Sequence, residues 1–255
     1  MQLSHADITD SEQIIDLIRQ GFEPHLLEAM IYGCHGVSNF VEDHIRLGPY
    51  SPYKYVVAKD ADKRLKAAAE FRFSEGTLFL NYIAVHPHAQ GQGLAGSLLK
   101  YAVCEALQKG LTHFSLDVFT TNIKALAWYT RLGLQAEGDR TFWVAATKGN
   151  GPIPVFSTPD FSHAESAQLR LGFSELTLHI NGIAVRIGRL GRTYFRVPIE
   201  AFGTNNGWLA AVWALDPLRK LLVISPLPPP GLRQAFSLVS TRRMGIELKE
   251  LPLGL

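Results

Sequence analysis

The chain has 255 residues, of which 47% are hydrophobic and 19% are charged. This composition supplies a packed core and excludes a largely disordered protein. The formal net charge of +2 and the lack of any block of five like charges argue against a nucleic-acid-binding protein.

Two cysteines, Cys34 and Cys104, are too few for a disulfide framework and favour a reducing cytoplasm. The N-terminus is polar, unlike a signal peptide, and no apolar run reaches 18 residues, so we expect no membrane association. The histidines near Pro87 and near Cys34 lack the paired spacing of a zinc site, so no metal is predicted.

The first part of the chain alternates predicted helices and strands. A short strand near the N-terminus and a helix opening at Asp10 precede a weak helix over 37–47. A meander of three strands follows over 55–58, 65–73 and 77–85. The next predicted elements are a helix over 93–109, a strand over 114–119, a helix over 122–132 and one or two strands over 135–147.

The composition changes after residue 147. Residues 148–155 are rich in Gly and Pro and are predicted to be a linker. Asn181-Gly182 lies between two alternating runs and predicts a β-hairpin. A smaller α+β domain over 156–255 is expected, with a helix over 207–219, a strand over 221–225, and a further helix and strand after the prolines at 228–230.

A glycine-rich segment separates the strand over 77–85 from the helix that follows it. It consists of Gln90, Gly91, Gln92, Gly93, Leu94, Ala95 and Gly96, and Ser97 comes next. Glycines let the backbone approach a ligand closely, and the amides at a helix N-terminus suit a pyrophosphate. Taken alone, the segment is explained as simply by a tight turn without a ligand.

The same glycines match the fingerprint of a dinucleotide-binding fold, with Asp117 as the acid that would bind a ribose. In that fold the first glycine directly follows its strand. Here five residues separate Val85 from Gly91, and three antiparallel strands are predicted before them. We therefore place the dinucleotide alternative second.

Asn122, Ala125 and Tyr129 form the second pattern. Seven residues turn a helix almost twice, so Asn122 and Tyr129 share one face about 10 Å apart, with the small Ala125 between them. An amide and a phenol in this arrangement could flank an extended ligand. Taken alone, an amphipathic helix with a cap and a half-buried tyrosine explains the pattern more simply.

Together the two segments resemble the GCN5-related N-acetyltransferase (GNAT) family. The run from Val85 through Pro87 to Ala95 is similar to its pyrophosphate-binding signature, and 122–134 is similar to its second motif. The resemblance covers about 1–147 and implies an α/β (α+β) fold, with a mixed, mostly antiparallel sheet flanked by helices. It also implies a catalytic domain that uses acetyl-coenzyme A to acetylate a primary amine of a small molecule, amino acid or peptide by direct attack.

The resemblance also implies roles for individual residues. Main-chain amides of 90–96 would bind the pyrophosphate, to which Ser97 could add a hydroxyl, and the strand edge at Ile83 and Val85 would pair with the pantetheine arm. Asn122 and Ala125 would flank that arm. Tyr129 would protonate the departing thiolate, which needs a donor within hydrogen-bond reach.

Asn81 departs from the family, because many members carry a glutamate four residues before the position of Val85. An amide cannot take the proton that the attacking amine must lose. Glu70, on the preceding predicted strand, is the first candidate for the base, and a solvated strand face is the alternative explanation of this residue. Weaker candidates lie in the expected acceptor loops: Glu28, His35 and Glu42. The departure keeps open a second function, a non-catalytic acyl-CoA-binding or sensing module.

The domain over 156–255 has no segment like 90–96. We interpret it as a degenerate second copy of the fold, because tandem copies occur in the family, and we predict that it binds no second coenzyme. Two roles stay open for it, covering the acceptor site or forming the interface of a homodimer.

Overall fold

The computed structural model describes residues 1–146, 152–203, 207–232 and 234–252. Within them the chain forms two compact units, neither of which is continuous in sequence. Unit 1 comprises Met1–Glu23, Ser38–Asp139 and Thr241–Leu255, and unit 2 comprises Pro24–Val37 and Arg140–Ser240. The linear division of the chain at 148–155 stays a prediction, and 148–151 of that linker lie outside the described residues.

The elements of the first part agree closely with those that the sequence predicts. The helices are α1 (Ser11–Arg19), α2 (Pro24–Leu27), α3 (Val37–Leu47), α4 (Leu94–Gln108), α5 (Ile123–Arg131), α6 (Phe161–Leu171) and α7 (Trp208–Leu215). The strands are β1 (Gln2–His5), β2 (Tyr53–Lys59), β3 (Leu65–Ser74), β4 (Thr77–Val85), β5 (His113–Phe119), β6 (Gln135–Ala146), β7 (Phe156–Ser157), β8 (Phe173–Ile180), β9 (Ile183–Leu190), β10 (Tyr194–Arg196), β11 (Lys220–Ser225) and β12 (Phe236–Glu247).

The strands of unit 1 follow the order β1-β2-β3-β4-β5-β12. All neighbours are antiparallel except β4 and β5, which are parallel. The predicted meander of β2, β3 and β4 is therefore confirmed. The periodic residues of α4, among them Leu98, Ala102 and Ala106, are buried against this sheet in one apolar core.

Strands β4 and β5 separate after a short paired stretch. β4 pairs with β5 only over residues 77–80. A β-bulge follows, in which Asn81 is the extra residue opposite the step from Glu70 to Phe71. A bulge bends its strand and increases its twist. From this point to Val85, the described residues of β4 pair with β3 alone, which leaves the other edge of the strand open.

Unit 2 is built around the strand order β6-β11-β10-β9-β8-β7, with β10 and β11 parallel. The predicted hairpin is confirmed, since Asn181 and Gly182 join β8 to β9 with φ values of 49° and 80°. The helix α6 was not predicted from the sequence. The helix predicted after the prolines at 228–230 is wrong, because the described residues there lead into the strand β12. Alternating and β-branched residues favour an extended strand in this segment.

Two long strands each contribute to both units. Residues of β6 up to Asp139 belong to unit 1, and those from Arg140 belong to unit 2, where they pair with β11. Residues of β12 up to Ser240 belong to unit 2, and those from Thr241 pair with β5 in unit 1. Unit 1 therefore includes a strand that follows unit 2 in the sequence.

Two bidentate ion pairs hold the final strand in unit 1. Arg243 donates to both carboxylate oxygens of Asp117 at 2.6 and 2.7 Å, and Arg242 donates to both of Asp139 at 2.8 Å. The Arg243 guanidinium also lies 4.9 Å from the centre of the Phe79 ring. Asp117 thus lies inside β5, and its carboxylate is paired with an arginine of the antiparallel strand β12, unlike the ribose-binding acid of a dinucleotide-binding fold.

Candidate active site

The loop before α4 has an open side. Gly91 and Gly93 have φ values of 78° and 76°, which glycine adopts without steric cost. A Cβ built at Gly91, Gly93 or Gly96 would have no atom within 4 Å among the described residues. A ligand could therefore approach the main chain on this side.

The start of α4 presents unbonded amide groups to the same space. The first intrahelical bond runs from the Ser97 N–H to the Gly93 carbonyl at 3.0 Å. The N–H groups of Leu94, Ala95 and Gly96 precede it, and a helix offers them no acceptor of its own. Because the helix dipole is positive at this end, the three donors suit an anionic group.

The open edge of β4 lies on the side of Ile83 and Val85. The His86 N–H donates to the Lys66 carbonyl of β3 at 2.8 Å. Successive residues of a strand direct their main-chain groups to opposite edges. The main-chain groups of Val85 and Ile83 therefore point away from β3, toward the gap that opens beside β5.

The Gln90 side chain spans this gap. Its amide nitrogen donates to the Val85 carbonyl at 3.4 Å, a weak hydrogen bond. Its amide oxygen accepts from the Lys124 ammonium at 3.2 Å. Sequence reasoning did not single out Lys124. A cation on the first turn of α5, two residues after Asn122, is the signal that could have indicated it.

Asn122 and Ala125 lie at the start of α5. The Asn122 side-chain oxygen accepts from the Ala125 N–H at 3.1 Å. This bond is the helix cap expected if the helix is simply amphipathic and binds no ligand. Its amide nitrogen has two further donors. Asn122 is exposed and Ala125 is half-buried, so both remain accessible to a ligand beside the helix.

Tyr129 is more deeply placed than a half-buried helix residue. Only 5% of it is exposed, and it belongs to the apolar core of unit 1. Burial raises the pKa of its phenol well above the ordinary value of 10.0. Tyr129 therefore keeps its proton at neutral pH, which fits a hydrogen-bond donor rather than a base.

Glu70 is fully buried, so the solvated strand face considered for it is wrong. Helices α1 and α4 both contact β3, which explains its enclosure. A carboxylate oxygen of Glu70 accepts from the side-chain amide of Asn81 at 2.7 Å. The residue that departs from the family thus lies in direct contact with the first candidate for the base.

The weaker candidates for the base lie elsewhere. Glu42 is paired with Arg46 at 2.9 Å on the surface of α3. Glu28 and His35 belong to unit 2, where a ring nitrogen of His35 lies 3.1 Å from the Leu169 carbonyl. Within unit 1, the structure brings Glu70 to the point where β4 leaves β5.

The following statements hold for the described part of the chain. It contains no group of three or more His, Cys, Asp or Glu residues arranged to hold a metal ion. None of its helices is both long and apolar enough to cross a membrane. Neither Cys34 nor Cys104 forms a disulfide bond within these residues.

Residues 20–134 match the model of the family described as Acetyltransferase (GNAT) family. This part of the chain is therefore similar to the GNAT family. An Escherichia coli K12 relative, the ribosomal protein bS18-alanine N-acetyltransferase, is 31% identical to this chain over 93 residues, which are 36% of this chain and 62% of the relative. The chain thus spans less than two thirds of the length of the curated relatives that it matches.

Two solved structures resemble nearly the whole chain. A tandem GNAT protein from the clavulanic acid biosynthesis pathway has a TM-score of 0.66 at 12% identity, over 97% of this chain and 98% of its own. A GCN5-related N-acetyltransferase from Sphaerobacter thermophilus has a TM-score of 0.60 at 11% identity, over 97% of this chain and 95% of its own. The predicted fold class is confirmed by this likeness.

Proposed function

We propose that unit 1 transfers an acetyl group from acetyl-coenzyme A to a primary amine. One observation carries the proposal. The open glycine loop at the start of α4 adjoins a strand edge that has left its neighbour. An extended ligand with a diphosphate at one end and amide groups along its length needs this combination of helix amides and strand edge.

The residues present fit such a ligand. The amides of 91–96 would bind the diphosphate, and Lys124 would add a positive charge beside it. The edge of β4 at Ile83 and Val85 would pair with the pantetheine amides. The weak bond between Gln90 and Val85 is then exchanged for a ligand bond.

Acetyl-coenzyme A, when bound, supplies the acetyl group as a thioester. Tyr129 holds a proton on its hydroxyl and would donate a hydrogen bond to the departing sulfur, because a phenol with a raised pKa keeps that proton. Glu70 would take the proton that the amine loses. Since its carboxylate is enclosed and already accepts from Asn81, we expect this proton to travel through a water molecule.

A peptide N-terminus is the first class of acceptor to test. The Escherichia coli relative is named for acetylating an alanine of ribosomal protein bS18, and it is 31% identical over the matched residues. The primary amines of small molecules and amino acids form the second class.

The enclosed Glu70 favours a second candidate function, an acyl-CoA-binding or sensing module without catalysis. A base that holds the amide of Asn81 and has no exposed surface is poorly placed to receive a proton directly. This alternative uses the same coenzyme site and differs only in the chemistry after binding.

Release of free thiol, measured over a panel of alanine-starting peptides and small amines, separates the two functions. We expect wild type to release thiol with at least one acceptor. Tyr129→Phe should lower turnover about 100-fold or more while coenzyme affinity, measured by calorimetry, is retained. Tyr101→Phe, on α4, removes a hydroxyl of the same kind and is the control. Coenzyme binding without thiol release from any acceptor would replace the enzyme with the binding module.

A further inference from the structure

Unit 2 contains a cavity of about 210 Å³ that is separate from the proposed coenzyme site. It lies among α6, β8, β9, β10 and the segment after α7. Drug-sized ligands occupy pockets of roughly 300–1,000 Å³. The cavity therefore suits a smaller molecule.

Two buried arginines line the cavity, Arg189 at 8% exposure and Arg219 at 7%. Arg219 is committed to the protein, because it donates to Asp216 at 2.9 Å and to the carbonyls of Gly191 and Tyr194 at 3.0 and 3.1 Å. It fixes the turn between β9 and β10 to the end of α7.

The Arg189 guanidinium uses only part of its hydrogen-bonding capacity. Its Nε donates to the Ser174 hydroxyl at 2.9 Å, and its Nη1 donates to Glu165 at 2.8 Å. Its Nη2 is buried and has no hydrogen-bond partner among the described residues. Leaving a buried charged donor without an acceptor destabilises the protein. An oxygen from outside the chain would remove this destabilisation.

The second arginine adds a positive charge beside the same cavity. Burial lowers the pKa of Arg219, the hydrogen bond and the charge of Asp216 raise it, the charge of Arg189 lowers it, and the charge of Glu165 raises it. The two guanidinium groups thus repel each other, and the two carboxylates offset this repulsion. A carboxylate bound at Arg189 Nη2 would add to that compensation.

The cavity also contains negative and apolar groups. Glu165 and Asp216 each pair with one of the arginines and leave their side chains 40% and 36% exposed. Phe161, Leu176 and Leu215 supply apolar walls. A ligand that carries a carboxylate, an ammonium and a short aliphatic chain would meet a complementary group at each of these places.

We propose that this cavity binds a small aliphatic α-amino acid, with its carboxylate on Arg189 Nη2, its ammonium beside Glu165 and Asp216, and its side chain against the apolar walls. The proposal is independent of the function proposed for unit 1.

Calorimetry with L-leucine on the full chain tests the proposal. We expect one leucine per chain. Two analogues act as matched controls: 4-methylpentanoate lacks the ammonium, and 3-methylbutylamine lacks the carboxylate. Each should bind at least about tenfold more weakly, since a hydrogen bond to a charged group is worth about 1.5–3 kcal/mol.

Three variants locate the ligand. Arg189→Gln should weaken leucine binding at least about tenfold, and Glu165→Gln should do so without removing a buried charge, which covers the case in which Arg189→Gln fails to fold. Arg186→Gln changes an arginine of the same strand that is 74% exposed, and leucine should bind to it as to wild type.

Four outcomes would overturn the proposal. The first is the absence of leucine binding to wild type, which would assign a water molecule to Nη2. The second is equal binding of leucine and 4-methylpentanoate. The third is unchanged leucine binding in Glu165→Gln, and the fourth is a loss of binding in Arg186→Gln equal to that in Glu165→Gln. Acetyl-coenzyme A affinity, measured in the same variants, should stay at the wild-type value. If wild type did not bind acetyl-coenzyme A, only the function proposed for unit 1 would be contradicted.

Discussion

In each unit, one helix begins directly after a glycine with a positive φ value, but the space around the two helix starts differs. In unit 1, α4 begins after Gly93 with φ 76°, and in unit 2, α7 begins after Gly207 with φ 71°. Each helix follows a strand that has a parallel neighbour. A Cβ at Gly93 would meet no described atom within 4 Å, whereas one at Gly207 would lie 3.2 Å from Pro154.

The strands before the two helices differ in the same sense. β4 leaves β5 after residue 80, but all three residues of β10 pair with β11, and the Val197 N–H continues this pairing to the Leu222 carbonyl at 3.0 Å. If unit 1 binds the coenzyme as proposed and unit 2 does not, a helix start and a parallel strand pair are not sufficient for such a site. The loop must also be open and the strand edge must be free.

The units also bury opposite charges on corresponding strands. Glu70 on β3 faces Tyr82 of β4, and Arg189 on β9 faces Phe195 of β10. Both charged residues are almost or fully buried. The carboxylate suits the amine acceptor proposed for unit 1, and the guanidinium suits the carboxylate ligand proposed for unit 2.

The largest effect is expected from the buried carboxylate. Glu70→Gln keeps the shape of the side chain and removes the proton acceptor, so turnover should fall about 100-fold or more while coenzyme affinity is kept. Glu75→Gln, in the turn after β3, is the control and should retain full activity. A Glu70→Gln protein with wild-type turnover would make this buried charge structural.

The second prediction tests whether the open space before α4 holds the diphosphate. Gly96→Leu places a side chain in the open region before α4, and loss of two bonds to the diphosphate should weaken coenzyme binding on the order of 100-fold. The same change should stabilise the helix by about 0.5–1 kcal/mol, because glycine is a poor helix former. Gln108→Leu at the other end of α4 should leave binding intact. Unchanged affinity in Gly96→Leu would place the diphosphate elsewhere.

A smaller effect tests the strand that unit 1 receives from the end of the chain. Asp117→Asn should lower the free energy of unfolding by about 1 kcal/mol, because it weakens a bidentate pair with Arg243. Asp139→Asn should cost less, since Asp139 is 49% exposed against 31% for Asp117. Urea unfolding measures both, and a larger loss from Asp139→Asn would reverse this ranking.

The last prediction is the absence of an effect. Pro154→Ala removes the ring beside Gly207, yet we expect calorimetry to give one acetyl-coenzyme A per chain in this variant as in wild type. The strand β10 still pairs fully with β11, so no edge is available to a pantetheine arm. Two sites per chain, in either protein, would show that unit 2 kept its coenzyme site.

Local signals predicted much of the fold. The spacing of apolar residues in α4 and the Asn181-Gly182 turn depend on neighbours in sequence, and both features are confirmed. The place of β12 could not be predicted, because its pairing with β5 joins residues 126 positions apart, as for Arg243 and Asp117. The helix α6 could not be predicted either, because its polar sequence lacks a clear α-helical spacing of apolar residues.

The candidate site was only partly visible in the sequence. Glycines and a helix start predict a phosphate loop, but the burial of Glu70 depends on helices that cover β3 from elsewhere in the chain. Arg189 had a signal that could have found it. It continues the alternation of Val185 and Ile187, so a charged residue falls on the inward face of β9.

The late position of β12 has a consequence for synthesis. A ribosome completes α4 and its loop long before it makes β12, and it must make unit 2 in between. Closing so long a loop slows folding, and until then the edge of β5 lacks its partner. A chain released before residue 241 would therefore lack a strand of unit 1, even though every residue proposed here for acetyl transfer had already been made.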